Sequence, residues 1–285
     1  MTGSSAARRV EALWRRARGE AQARPTPAER TLDRIALNAL GVGTEEAREV
    51  LPRFSSFEDL LAWADQRAGG FDTEAIARFE ALSAGAPPPP ATARRTEAIA
   101  AAEPVLSDAD LADWDEQGYV VVSAAITRQE AQAAAEAVWR FVGADPAEPS
   151  TWTLTEHGIM AQLFQHPTLQ PARTSPRVLK AFAQLWGTAD LWTTLDRVSF
   201  NPPVRRGLAF PGPRLHWDIS LTPPVVFQMQ GMIYLTDTTA EQGAFELVPG
   251  FHKRIDAWLE GLGPDVDPRS TFPLRPAASP PTPAT

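Results

Sequence analysis

The sequence predicts an α+β fold, with helices first and an antiparallel barrel or jelly roll after them. Three observations carry this. Apolar residues recur at helical spacing through the first 85 residues. Short β-rich runs separated by Gly/Pro turns dominate from Leu191 onward. The prolines, 27 in 285 residues, cluster between and after these regions. Short strands punctuated by turns, without long intervening helices, indicate a barrel or roll. Helices placed ahead of such a sheet give the α+β description.

In chain order, Val10, Leu13, Trp14 and Ala17 fall at i, i+3, i+4 and i+7 on one helix face. Leu32, Ile35, Ala36 and Ala39 repeat the pattern, and Gly41 stops it. Ser56 opens a third helix carrying Leu60, Leu61 and Trp63, and Asp72–Leu82 reads as a fourth. Residues 1–85 are therefore expected as a helical accessory domain. Residues 86–103, beginning APPPPATARR, are expected as a semi-rigid linker. The main domain is placed at 104–270 and a disordered Pro-rich tail at 271–285.

Within the main domain, Ser107 and Asp110 cap a short helix that Gly118 breaks. Tyr119–Val122 reads as a strand, Thr127–Val142 as a helix with Val138, Trp139 and Phe141 inward, and His157–Phe164 as a helix. Arg177–Trp186 is a helix with Val178, Phe182 and Leu185 for the core. Runs 191–200, 225–236 and 244–248 are strand-like. Trp186, Trp192 and Phe200 are expected in the core.

Composition excludes several classes. The chain has no cysteine, so disulfides, thiolate metal sites and cysteine nucleophiles are ruled out. Its formal net charge of −8 argues against nucleic acid as a main partner. No stretch approaches the roughly 20 apolar residues of a membrane span, and the N-terminus lacks an apolar signal core. A cytoplasmic location is the expectation.

Only four histidines occur: His157, His166, His216 and His252. His216 and Asp218 form a His-x-Asp pair, whose side chains leave an extended backbone on the same face. One imidazole and one carboxylate can then meet one ion, and a second histidine from elsewhere would complete a facial triad of the non-haem iron(II) type. On its own the pair also reads as a solvent-facing contact. His157 and His166 read as surface or packing residues. Arg197 and Asn201 read as a salt bridge and a strand-end turn, or as the lining of a cosubstrate pocket.

Three ordered blocks resemble the phytanoyl-CoA dioxygenase family, over roughly residues 105–260. Leu111–Val122 (LADWDEQGYVVV) resembles its entry helix and first strand. Leu215-His-Trp-Asp218 resembles its metal motif. Tyr234–Asp237 (YLTD) followed by Gln242–Lys253 (QGAFELVPGFHK) resembles its later loop, strand and Pro-Gly-x-His-Lys block.

The resemblance implies a double-stranded β-helix core and an iron(II)/2-oxoglutarate-dependent oxygenase. His216 and Asp218 would be the iron ligands, with no catalytic residue beyond them. O2 and a small organic or lipid-like molecule would be the substrates. His252 would be a residue behind the ligands, since the family's distal histidine follows a Gly-Asp turn in a later strand, and an arginine beyond it grips 2-oxoglutarate. No histidine follows His252, so an incomplete roll, truncated and inactive as written, is one expectation. A catalytically dead binding protein is a second reading. A cupin-like metal enzyme using His216, Asp218 and His252 without 2-oxoglutarate is a third.

Overall fold

The computed structural model describes residues 3–21, 25–203 and 215–271. Its helices are α1 (Ser5–Ala17), α2 (Pro27–Ala39), α3 (Thr44–Val50), α4 (Phe57–Ala68), α5 (Thr73–Ala84), α6 (Pro90–Ala101), α7 (Asp108–Gln117), α8 (Arg128–Val142), α9 (Gln170–Thr174), α10 (Pro176–Trp186) and α11 (Ile255–Glu260). Two short strands, β1 (Met160–Ala161) and β2 (Val198–Ser199), pair antiparallel, with Met160 opposite Ser199. The chain forms two compact units, Met1–Glu103 with Met160–Ser199, and Pro104–Ile159 with Phe200–Thr285.

In the first unit α1 packs on α2 and α5. The helix starts follow from side chains that accept otherwise orphaned backbone N–H groups. Ser4 accepts from Ala7, Ser56 from Asp59, and Asp72 from Glu74 and Ala75. Thr26 and Glu29 form a reciprocal capping box behind Pro27. Val10, Leu37, Leu40, Leu60, Ile76 and Phe79 bury against one another. Two buried carboxylates sit at the edges of this core. Asp33 lies 2.6 Å from Arg16 and 3.1 Å from Arg9, and Glu46 lies 2.5 Å from Arg67. Burial raises the pKa of both above the usual carboxylate range, and the arginines only partly offset it.

Segment 160–199 is woven into these helices by polar contacts. Arg78 on α5 donates to the Leu191 carbonyl at 2.7 Å and to Asp190 at 2.5 Å, and stacks 3.9 Å over Trp192. Gln165 donates to the Gly41 carbonyl at 2.7 Å, and Asn38 accepts from the Leu195 N–H at 2.7 Å. Lys180 on α10 donates to the Ala100 carbonyl at 2.8 Å.

Several expectations are corrected. The stretch expected as an extended linker contains α6, with Pro90 at its first turn. Proline is tolerated there because its missing N–H would be unpaired in any case, and the sequence after it is rich in alanine. His157–Phe164 is not a helix: Thr155 and Gly158 exchange backbone hydrogen bonds in a tight turn, and the chain leaves it extended into β1. In 191–200 only Val198–Ser199 pairs as strand. The Leu191 carbonyl and the Leu195 N–H are spent on helix side chains instead.

The runs 119–122, 225–236 and 244–248 form no named strand among the described residues. A strand exists only through a neighbour about 4.8 Å away, so β-branched composition leaves an irregular chain where none pairs with it; in 244–248 a single residue, Leu247, is bridged. Val121, Val226, Phe227, Met232 and Phe245 are correspondingly exposed. Phe141 and Trp186, expected inside, are also exposed. On α10 the buried face is Lys180, Ala181 and Ala183, with Val178, Phe182 and Leu185 half-buried. The expected tail from 272 onward lies outside the described residues.

In the second unit α7 carries the expected Ser107/Asp110 capping box, and α8 carries one from Thr127 and Glu130. Trp139 meets Phe200 edge-on at 4.9 Å and Trp152 at 5.1 Å. A separate small core gathers Leu221, Phe251, Ile255 and Leu259, with Trp217, Ile219 and Trp258 against it.

Candidate metal centre

The His-x-Asp segment is not a paired strand, yet it alternates as extended backbone does. Trp217 and Ile219 pack against the small core. Trp217 stacks on Trp258 at 5.7 Å with 22° between the rings, and lies 5.4 Å from Phe251. With positions 217 and 219 turned inward, His216 and Asp218 point the other way, 53% and 55% exposed. Their Nε2 and Oδ1 atoms stand 3.3 Å apart. Two ligands about 2.1 Å from one ion and at right angles to each other stand about 3 Å apart. The pair therefore fits two neighbouring positions around a first-row metal. Among the described residues, no group of three His, Asp or Glu side chains gathers to hold one.

Arg269 holds the backbone of this segment. Its guanidinium donates to the Trp217 carbonyl at 2.8 Å and to the Ile219 carbonyl at 2.6 Å, the two carbonyls either side of Asp218. Sequence reasoning missed this role, because Arg269 sits in a Pro-rich stretch with no strand pattern. The available signal was Asp267-Pro-Arg-Ser270, a turn-forming run in which Asp267 accepts from the Arg269 N–H.

His252 lies on the turn before α11, beside the buried Phe251. Its Nε2 is 2.9 Å from the Asp115 carbonyl near the end of α7. Its ring lies against Gly118, where a Cβ would collide with Nδ1. The same turn grips α7 through two further residues. The Gly250 N–H donates to the Gln117 carbonyl at 2.8 Å, and Lys253 reaches Asp115 at 2.9 Å and Glu116 at 3.2 Å. The hydrogen bond and charge of Lys253 hold Asp115 below the usual carboxylate range. Asp115 in turn raises the Lys253 ammonium. A cation also suits the negative end of a helix dipole.

Arg197 belongs to the first unit, with its guanidinium 4.0 Å from Glu45. Asn201 belongs to the second, where its side-chain N–H donates to the Gly243 carbonyl at a long 3.5 Å and its Oδ1 is buried without a hydrogen-bond partner. His166 accepts from the Thr168 N–H at 3.3 Å at the start of a 3-10 turn. The His157 N–H donates to the Thr155 hydroxyl in the turn before β1.

Residues 114–267, more than half of the chain, match the phytanoyl-CoA dioxygenase (PhyH) family. The chain belongs to that family. The phytanoyl-CoA dioxygenase family is one of iron(II)/2-oxoglutarate-type oxygenases. No curated protein and no solved structure matches it. The family implies a jelly roll; among the described residues the sheet is limited to β1 and β2. No described helix is long and apolar enough to cross a membrane.

Proposed function

We propose that this protein is an iron(II)/2-oxoglutarate-dependent dioxygenase that hydroxylates a small organic or lipid-like substrate, with His216 and Asp218 as two of its metal ligands. One observation carries the reading: within a family match, an imidazole and a carboxylate converge to 3.3 Å on the accessible side of a segment whose alternate residues pack against a small core. Bound there, iron(II) would supply the redox chemistry that couples decarboxylation of 2-oxoglutarate by O2, giving succinate and CO2, to insertion of one oxygen atom into a C–H bond.

The protein's own contribution is placement. His216 offers a nitrogen donor and Asp218 an oxygen donor. Protons compete with a metal for ligands of these two kinds, so metal affinity falls on acidification. Trp217 and Ile219 fix the backbone that carries them, which lowers the entropy lost on binding. The engagement of His252 with Asp115 and Gly118 supports a structural place for it behind the ligands. Asn201, in the same unit as the pair, offers a weakly held amide donor as a cosubstrate contact.

The test is anaerobic titration with iron(II) and 2-oxoglutarate, watching for the visible charge-transfer band of the chelate. A band needing both additions, and lost in His216→Ala, is the expected result. No band from the folded protein would overturn the reading and favour a binding protein without this chemistry.

A further inference from the structure

Arg269 has a geometry that neither the family match nor the pair of ligands explains. It sits on a turn built to present it: Asp267 accepts from the Arg269 N–H at 2.9 Å, and the Ser270 hydroxyl closes on the Asp267 carbonyl at 2.8 Å. From that turn its Nη1 and Nη2 reach two carbonyls separated by one residue, Trp217 and Ile219. That residue is Asp218. A guanidinium is the side chain suited to this task, because its donors form a rigid planar fork.

We propose that Arg269 is a positioning residue for the metal-ligand pair: by bridging the Trp217 and Ile219 carbonyls it fixes the backbone from which Asp218 projects, and so holds Asp218 against His216. The inference rests on the oxygenase reading for its functional consequence, but the brace itself does not. Two effects of removing Arg269 have opposite signs. As a positive charge near the pair, it repels a divalent cation, so its loss alone would tighten metal binding. As a brace it pre-organises the ligands, and its loss would weaken binding. Changes to groups that orient metal ligands weaken metal affinity about 10- to 100-fold. The charge effect is small for an exposed group in salt, so weakening dominates.

The experiment has two arms on the full chain. The first follows amide hydrogen exchange of residues 215–221 without metal, in the wild type and in Arg269→Ala and Arg269→Lys. The expected result is faster exchange confined to this segment in Arg269→Ala, partly restored in Arg269→Lys, whose ammonium keeps the charge without the fork. Unchanged exchange overturns the proposal. The second arm titrates cobalt(II) and reads its visible spectrum. Affinity about 10-fold weaker or more in Arg269→Ala, with an altered spectrum, is expected. Equal or tighter binding overturns the positioning role while leaving the oxygenase reading intact. If the wild type and His216→Ala bind cobalt(II) alike, the oxygenase reading fails, and the exchange arm still decides whether Arg269 braces the segment.

Discussion

The end of α7 shows how one residue type can be demanded twice. Gly118 has a φ of +78°, in the left-handed region that ends helices, and its missing Cβ makes room for the His252 ring. Gly118→Ala therefore meets both a backbone penalty and a collision with the His252 ring. The ring can turn aside only by giving up the Asp115 carbonyl. A left-handed alanine costs about 1 kcal/mol and a lost hydrogen bond about 1 kcal/mol, so a loss of about 2 kcal/mol is expected in urea unfolding. The cause is checked by repeating Gly118→Ala in a His252→Ala background. There only the backbone share, about 1 kcal/mol, should remain. A full loss in that background would show that His252 is not what excludes the side chain. Of this arrangement the sequence makes half legible. Gly118 after a capped amphipathic helix announces a helix stop. Its partner lies more than a hundred residues away, where no local pattern points back to it.

At the scale of elements, local chemistry was the readable part. Helices begin where Ser, Thr or Asp can accept an N–H, and these signals placed α4, α5, α7 and α8 to within a residue or two. The His216/Asp218 convergence was readable for the same reason, since period-two alternation is local. Pairing was not readable. Residues 191–195 have strand composition, yet their backbone is claimed by side chains from α2 and α5. Arg78 is the principal claimant, holding the Leu191 carbonyl, the Asp190 carboxylate and the Trp192 ring at once. Burial lowers its pKa from the usual arginine value, with Asp190 opposing that shift. Arg78→Ala should destabilise the protein by about 2 kcal/mol, through lost charged hydrogen bonds and ring stacking. Arg78→Lys should recover only part of this, because an ammonium lacks the flat face and the fork. Thermal unfolding of the two variants decides: equal and negligible losses would mean that Arg78 does not secure 190–192.

For the whole molecule, the question is whether the N-terminal helices are a detachable addition to the family domain. The family match begins at residue 114, and composition alone favours a separable accessory domain. The packing argues otherwise, because family residues 160–199 share their compact unit with those helices. Gly43 sits where a Cβ would come 2.8 Å from Phe164 and 2.9 Å from the Leu195 carbonyl. Phe164 is almost fully buried. A chain beginning at Pro104 would lose Arg78, Asn38, the Gly41 carbonyl and the Ala100 carbonyl in one step. Leu191, Leu195, Gln165 and Lys180 would be left without those partners. Polar groups lose about 1–3 kcal/mol each when they stay buried and unpaired, against a total stability of about 5–15 kcal/mol for a typical domain. The expected product is therefore poorly soluble and without cooperative unfolding, and adding back residues 1–103 as a separate chain should improve its yield. A chain from Pro104 that is monodisperse, and unfolds in one sharp transition on its own, would show that the helices are dispensable to the family domain.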